Sequence, residues 1–102
     1  MGDERRRTKR KPLILEVKYE GQGVRAQTRI SDIHLFGVFI DTISAIPPAG
    51  TPLKLSFNLP DGHLIETEGV VVHCQQGIGM GIEFTSMKRE DGERLRELLG
   101  DE

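Results

Sequence analysis

Leu53, Leu55, Phe57 and Leu59 occupy every second position between a proline-containing loop and the turn Pro60-Asp61-Gly62. Apolar residues at that period line one face of a β-strand, whereas a helix would scatter them around its axis. The same alternation recurs along most of the chain. Leu13, Leu15, Val17 and Tyr19 alternate with Ile14, Glu16 and Lys18, and Val24, Ala26, Thr28 and Ile30 share a face of a second run reaching Ile33. Gly37-Val38-Phe39-Ile40 opens a short third strand, and Leu64 to Cys74 and Gly79 to Thr85 supply a fifth and a sixth. Between them stand Gly21-Gln22-Gly23, Pro60-Asp61-Gly62 and Gln75-Gln76-Gly77, whose residue types favour turns. Pro47-Pro48 cannot donate ladder hydrogen bonds, so Ile43 to Gly50 reads as a loop.

Only the C-terminus changes period. From Lys88 to Leu99, the residues Leu95, Leu98 and Leu99 fall on one side of a helix that Ser86 or Thr85 can cap and Gly100 can end. Six short strands followed by one helix predict a mainly β fold: a six-stranded antiparallel β-barrel with a C-terminal α-helix. Closure removes the exposed edges that so small a sheet would otherwise have to protect. A chain of 102 residues holds one such core, not two.

Charge divides the chain unevenly. Residues 1–12 contain six bases against two acids, a net +4, and the other ninety contain eight bases against fourteen acids, a net −6. The bases cluster in Arg5-Arg6-Arg7-Thr8-Lys9-Arg10-Lys11, too polar to fold alone, so residues 1–12 read as a flexible basic arm and 13–100 as the folded body. With an overall charge of only −2, any anion site must be local.

Several function classes have little behind them. No stretch approaches the roughly 20 apolar residues of a membrane span, and the basic N-terminus lacks the apolar segment of a secretory signal, so a cytoplasmic location is expected. Cys74 is the single cysteine, which excludes an internal disulfide and a cysteine-based zinc cluster. His34, His63 and His73 are scattered, so no metal site is expected; His63 follows a turn and reads as exposed. Gly77, Gly79 and Gly81 precede and enter a strand, whereas a dinucleotide loop must open a helix. No nucleophile elbow, zinc-protease helix or Walker loop is present, and Glu66 and Glu68 read as a solvated strand edge, so the chain is not expected to be an enzyme. Nucleic-acid binding is not expected either, because the body is acidic and only five aromatics are available for stacking.

Two local patterns point to a ligand. Arg6 and Arg10 stand in an R-x-x-x-R spacing, and Asp32-Ile33-His34-Leu35-Phe36-Gly37 joins the second and third strands. Guanidinium forks pair bidentately with phosphate and stack on bases. A carboxylate can accept two hydrogen bonds from the N–H edge of guanine, and glycine permits close backbone approach. The combination suits a guanine nucleotide with exposed phosphates.

Here the sequence resembles the PilZ domain family. Its signature is R-x-x-x-R in the N-terminal loop followed by D/N-x-S-x-x-G after the second strand. Arg6 and Arg10 match the first motif, with Arg7 in the same arginine run, and Asp32 and Gly37 match the second; Gly79-Met80-Gly81-Ile82-Glu83-Phe84 is similar to the family's last strand. Together these run from about Glu4 to Leu99. The resemblance implies a PilZ-like barrel that binds cyclic di-GMP, a bacterial second messenger, and needs no cofactor. It implies ligand contacts from Arg6, Arg7, Arg10, Asp32, His34 and Gly37, and signalling to a protein partner as the arm orders over the nucleotide.

One departure stands out: His34 occupies the place of the motif's serine. A lost neutral hydrogen bond costs about 0.5–1.5 kcal/mol, whereas hydrogen bonds to charged groups contribute about 1.5–3 kcal/mol each. The two arginines therefore outweigh the serine, and binding is expected to persist unless the imidazole ring blocks the pocket. The alternative is a degenerate PilZ domain that has lost the nucleotide and acts by protein–protein contact alone.

Overall fold

Tyr19, paired to Ala26 on one side and Leu55 on the other, marks where the first strand is held between its two neighbours. The computed structural model describes residues 15–42 and 46–100. Six strands, β1 (Leu15–Gly21), β2 (Val24–His34), β3 (Gly37–Asp41), β4 (Pro52–Asn58), β5 (Leu64–Gln75) and β6 (Gly79–Ser86), precede one helix, α1 (Arg89–Leu99). All pairings are antiparallel, and the order β1-β2-β3-β6-β5-β4 closes on itself through β4 and β1. The fold class expected from the sequence is the one observed.

Alternation sets the interior. Val17 and Tyr19 from β1, Leu53, Leu55 and Phe57 from β4, and Ile65 and Val71 from β5 are buried, while Glu16, Lys18, Lys54 and Glu66 face outward. At roughly 25 cal/mol per Å² of apolar surface, burial of such side chains is the main stabilising term. The β1–β2 turn places Gln22 and Gly23 at φ 53° and 78°, so both central residues are left-handed, the geometry that matches strand twist in a two-residue hairpin. In the β4–β5 turn Gly62 has φ 93° and its N–H donates to the Leu59 carbonyl at 2.8 Å.

The helix closes the barrel through Leu95 and Leu99, both buried in the same core. Two polar links join it to the β4–β5 turn. His63 Nε2 lies 2.8 Å from Asp91 Oδ1, and Arg94 Nη1 donates to Asp61 Oδ2 at 3.2 Å. The expectation that His63 is exposed is therefore corrected: its side chain is 17% accessible and that of Asp91 7%. The cap is corrected too. Ser86 and Thr85 lie within β6, where Thr67 Oγ1 donates to the Ser86 carbonyl, and Lys88 occupies the N-cap without a side-chain bond. Glu90 and Asp91 in the first turn offer negative charge to the positive end of the helix instead. Gly100 ends the helix in the left-handed conformation at φ 69°, as expected. Cys74 is half-buried, with its Sγ 3.3 Å from the Pro47 carbonyl oxygen. No helix among the described residues is long and apolar enough to cross a membrane.

Candidate functional site: a groove across β2, β3, β6 and β5

The junction of β2 and β3 gathers three of the residues singled out in the sequence. Asp32 and His34 end β2, and Gly37 begins β3. His34 pairs with Gly37 across a tight turn, where the Phe36 N–H donates to His34 Nδ1 at 3.3 Å. With that nitrogen accepting, the imidazole proton sits on Nε2. The Phe36 carbonyl accepts from the Phe84 N–H at 2.8 Å, which fastens the turn to β6. Gly37 has a packing reason of its own: a methyl group there would lie 2.2 Å from the Ile82 carbonyl oxygen. No other residue lets β3 lie this close to β6.

Two β-bulges flank this junction. On β2, Ile30 pairs with Ile40 and Asp32 with Phe39, leaving Ser31 as an extra residue. On β5, Val71 pairs with Ile82 and His73 with Gly81, leaving Val72 as another. Bulges bend a strand and re-aim its side chains, and they are common beside binding sites. Between them one outward-facing row runs across four strands, Asp32–Phe39–Gly81–His73. The Phe39 ring lies over the β6 glycines: its Cε2 would be 2.9 Å from a methyl on Gly79, and its Cδ1 3.8 Å from one on Gly81. The result is a groove of about 420 Å³ lined by Asp32, His34, Phe36, Val72, Gly81 and Glu83, among others.

A larger concavity, about 930 Å³, crosses β1, β4 and β5 on another part of the barrel. Its register sets Glu20 beside Lys54 and Lys54 beside Glu68, so opposite charges compensate one another across the strands. We take the smaller groove as the candidate site, because the larger one holds none of the motif residues and has an internally balanced charge. Glu66 and Glu68 share that outer face, as expected, but only Glu66 lies where β5 runs beyond β6; Glu68 pairs with both Lys54 and Ser86. Among the described residues no group of three or more His, Cys, Asp or Glu could hold a metal ion.

Arg6, Arg7 and Arg10 lie outside the described residues. Phe36 and Gly81 stand within the two strand motifs quoted from the sequence, and Val72 with His73 at a position where family members can present ligand-facing side chains, but none of them was assigned a ligand contact from the sequence. The available signal was Val70-Val71-Val72, a run that breaks the period of two where the bulge falls.

Over residues 4–101 the sequence matches the family model of the PilZ domain. The chain belongs to the PilZ domain family. PilZ domains are receptor and adaptor domains of the cyclic di-GMP-binding type. Among solved structures, this PilZ chain is similar to the Bacillus subtilis inhibitor of motility MotI/DgrA, with a TM-score of 0.78 and 22% identity. The match covers 91% of this chain and 48% of MotI/DgrA, so the chain spans about half of that protein's length. The PilZ domain of CeSA from a cellulose-synthesizing bacterium matches with a TM-score of 0.69 and 17% identity, over 89% of this chain and 94% of that domain. Both likenesses are likenesses of fold. No curated protein matches the sequence.

Proposed function

We propose that this PilZ domain binds cyclic di-GMP in the groove at the β2–β3 junction and passes the signal to a protein partner. The observation that carries the reading is the joint placement of Asp32, His34 and Gly37 on one groove, in a chain whose arm holds Arg6 and Arg10 at the family spacing. Each component has a physical task. Arg6 and Arg10 pair with the phosphodiesters, and Arg7 adds a third guanidinium. Asp32 accepts from the N–H edge of guanine. His34, with Nδ1 engaged by the turn, offers its Nε2–H where the motif's serine would offer a hydroxyl. Gly37 acts through the backbone.

Charge supports the same reading. The like charges crowded in an arm of net +4 repel one another, and the two phosphodiester charges of the ligand supply the counter-charge that lets its guanidinium groups close together. Ordering arm residues costs about 1–2 kcal/mol each, so several charge-assisted hydrogen bonds must offset it. The new surface of arm and nucleotide is what a downstream protein would read. The domain acts as a receptor in the cytoplasm, with no chemistry of its own.

His34 favours a second reading, in which its ring fills the turn and the domain works by protein contacts without nucleotide. Calorimetric titration of cyclic di-GMP separates the two. The first predicts saturable heat that falls by roughly 10- to 100-fold in affinity for Arg6→Ala or Arg10→Ala, the loss of one charged hydrogen-bonding group. The second predicts no heat at all.

A further inference from the structure

Across the outer face of the barrel, register lines up Arg25 on β2, Glu20 on β1, Lys54 on β4 and Glu68 on β5, so charge alternates strand by strand. All four are exposed, and the row lies where two hollows meet, one of about 930 Å³ and one of about 790 Å³. Arg25 and Glu20 form an ion pair at 3.0 Å. Lys54 and Glu68 are neighbours in register, yet among the described residues neither side chain has an ion-pair or hydrogen-bond partner. The trough is balanced in net charge but not in contacts. The helix α1 carries the opposite order of signs. Its buried side holds Asp91, Leu95 and Leu99. At about 3.6 residues per turn, the side turned away from these holds Arg89, Glu93 and Arg96, all exposed. These three also lack an ion-pair partner among the described residues. Arg89 precedes Glu93, the less favourable order for a pair within one helix.

We propose that the trough receives α1 of a second copy of this chain, in a two-fold dimer held by interlocking charges. The spacings agree. Neighbouring strands lie about 4.8 Å apart, so Glu20 and Glu68 flank Lys54 over about 9.6 Å. Arg89 and Arg96 flank Glu93 over about 10.5 Å of helix. A helix laid across the strands therefore sets a plus-minus-plus row against a minus-plus-minus row, and charges without a partner in one copy find it in the other. Ser56, half-buried beside the row, keeps the floor low, and Glu90 and Glu97 stand on one flank of the helix face, outside the row. Ser86, Met87 and Lys88 line the trough just before α1 begins, so a two-fold axis at this wall lets each copy give its helix and receive its partner's. Exposed ion pairs are individually weak and screened by salt, so the dimer forms at high concentration and low ionic strength. The trough shares no lining residue with the groove at the β2–β3 junction, and the proposal is independent of the nucleotide reading.

Sedimentation equilibrium of the whole chain, without ligand, tests this at about 0.02 M and about 0.5 M salt. Self-association is expected at the lower concentration of salt and should weaken by about tenfold or more at the higher. Lys54→Glu makes the row from Glu20 to Glu68 acidic throughout, and Glu93→Lys makes the helix row basic throughout. Each variant alone should associate roughly 10- to 100-fold more weakly than the parent, because attraction becomes repulsion at both symmetric contacts. An equimolar mixture should regain the parent's association, since the acidic trough then meets the basic helix and the unaltered rows meet at the second contact. Mixing does not repair a fold damaged in either variant, so that recovery reports the pairing itself. A parent monomeric at every concentration in low salt, a dimer indifferent to both substitutions, or a mixture no stronger than its components would each overturn the proposal.

Discussion

Tyr19 carries the buried side-chain oxygen that lacks a hydrogen-bond partner among the described residues. Its ring is well used, packed at 2% exposure on a strand held between β2 and β4, but the hydroxyl is out of water and meets no hydrogen-bond partner among the described residues. An unsatisfied buried donor costs about 1–3 kcal/mol. Tyr19→Phe keeps the ring and removes the cost, so it should raise the stability of the domain by about 1 kcal/mol, read as a higher denaturant midpoint at constant m-value. His34 is the opposite case, a polar ring in use, with Nδ1 accepting the turn N–H of Phe36. His34→Ala should weaken cyclic di-GMP binding by up to about tenfold, the worth of a neutral hydrogen bond. His34→Ser should recover it, because a hydroxyl can bond both to the turn and to the ligand. Calorimetry on the two variants checks this, and tighter binding by His34→Ala would mark the ring as an obstruction.

At the scale of elements, α1 is held by two leucines below and a polar latch at its start. His63→Ala leaves Asp91 buried without its partner and should cost about 2 kcal/mol, with faster amide exchange in α1 than in β1 or β4. Gly92→Ala should stabilise the same helix by about 0.5–1 kcal/mol, because a methyl there meets only Met87 Sδ at 4.0 Å; a raised melting temperature is the readout. These elements also show what sequence carries. Strands and turns are legible because alternation such as Leu53, Leu55, Phe57 is a local property of the chain. The cap at Lys88 was not, because β6 pairing with β5 claims Ser86 for the strand, and pairing is non-local. The exposed reading of His63 failed similarly: Asp91, its partner, lies 28 residues away.

For the whole molecule, closure of β4 onto β1 and of β3 onto β6 sets the site, since only that order brings the β2–β3 turn beside β6 and the bulge of β5. Asp32, His34 and Gly37 were legible as a contiguous motif. That this motif faces Val72 and Gly81 was not, because the meeting depends on register across strands far apart in sequence. The charge division of the chain, by contrast, is read directly from composition and gives the molecule a basic arm to set against an acidic barrel. The most direct measurement is the amide spectrum of the whole chain titrated with cyclic di-GMP. Saturable shifts at Asp32, His34 and Gly37, together with Arg6 to Arg10, are the result expected of a nucleotide held between arm and groove. A spectrum unmoved at these positions, with ligand in large excess, would contradict it.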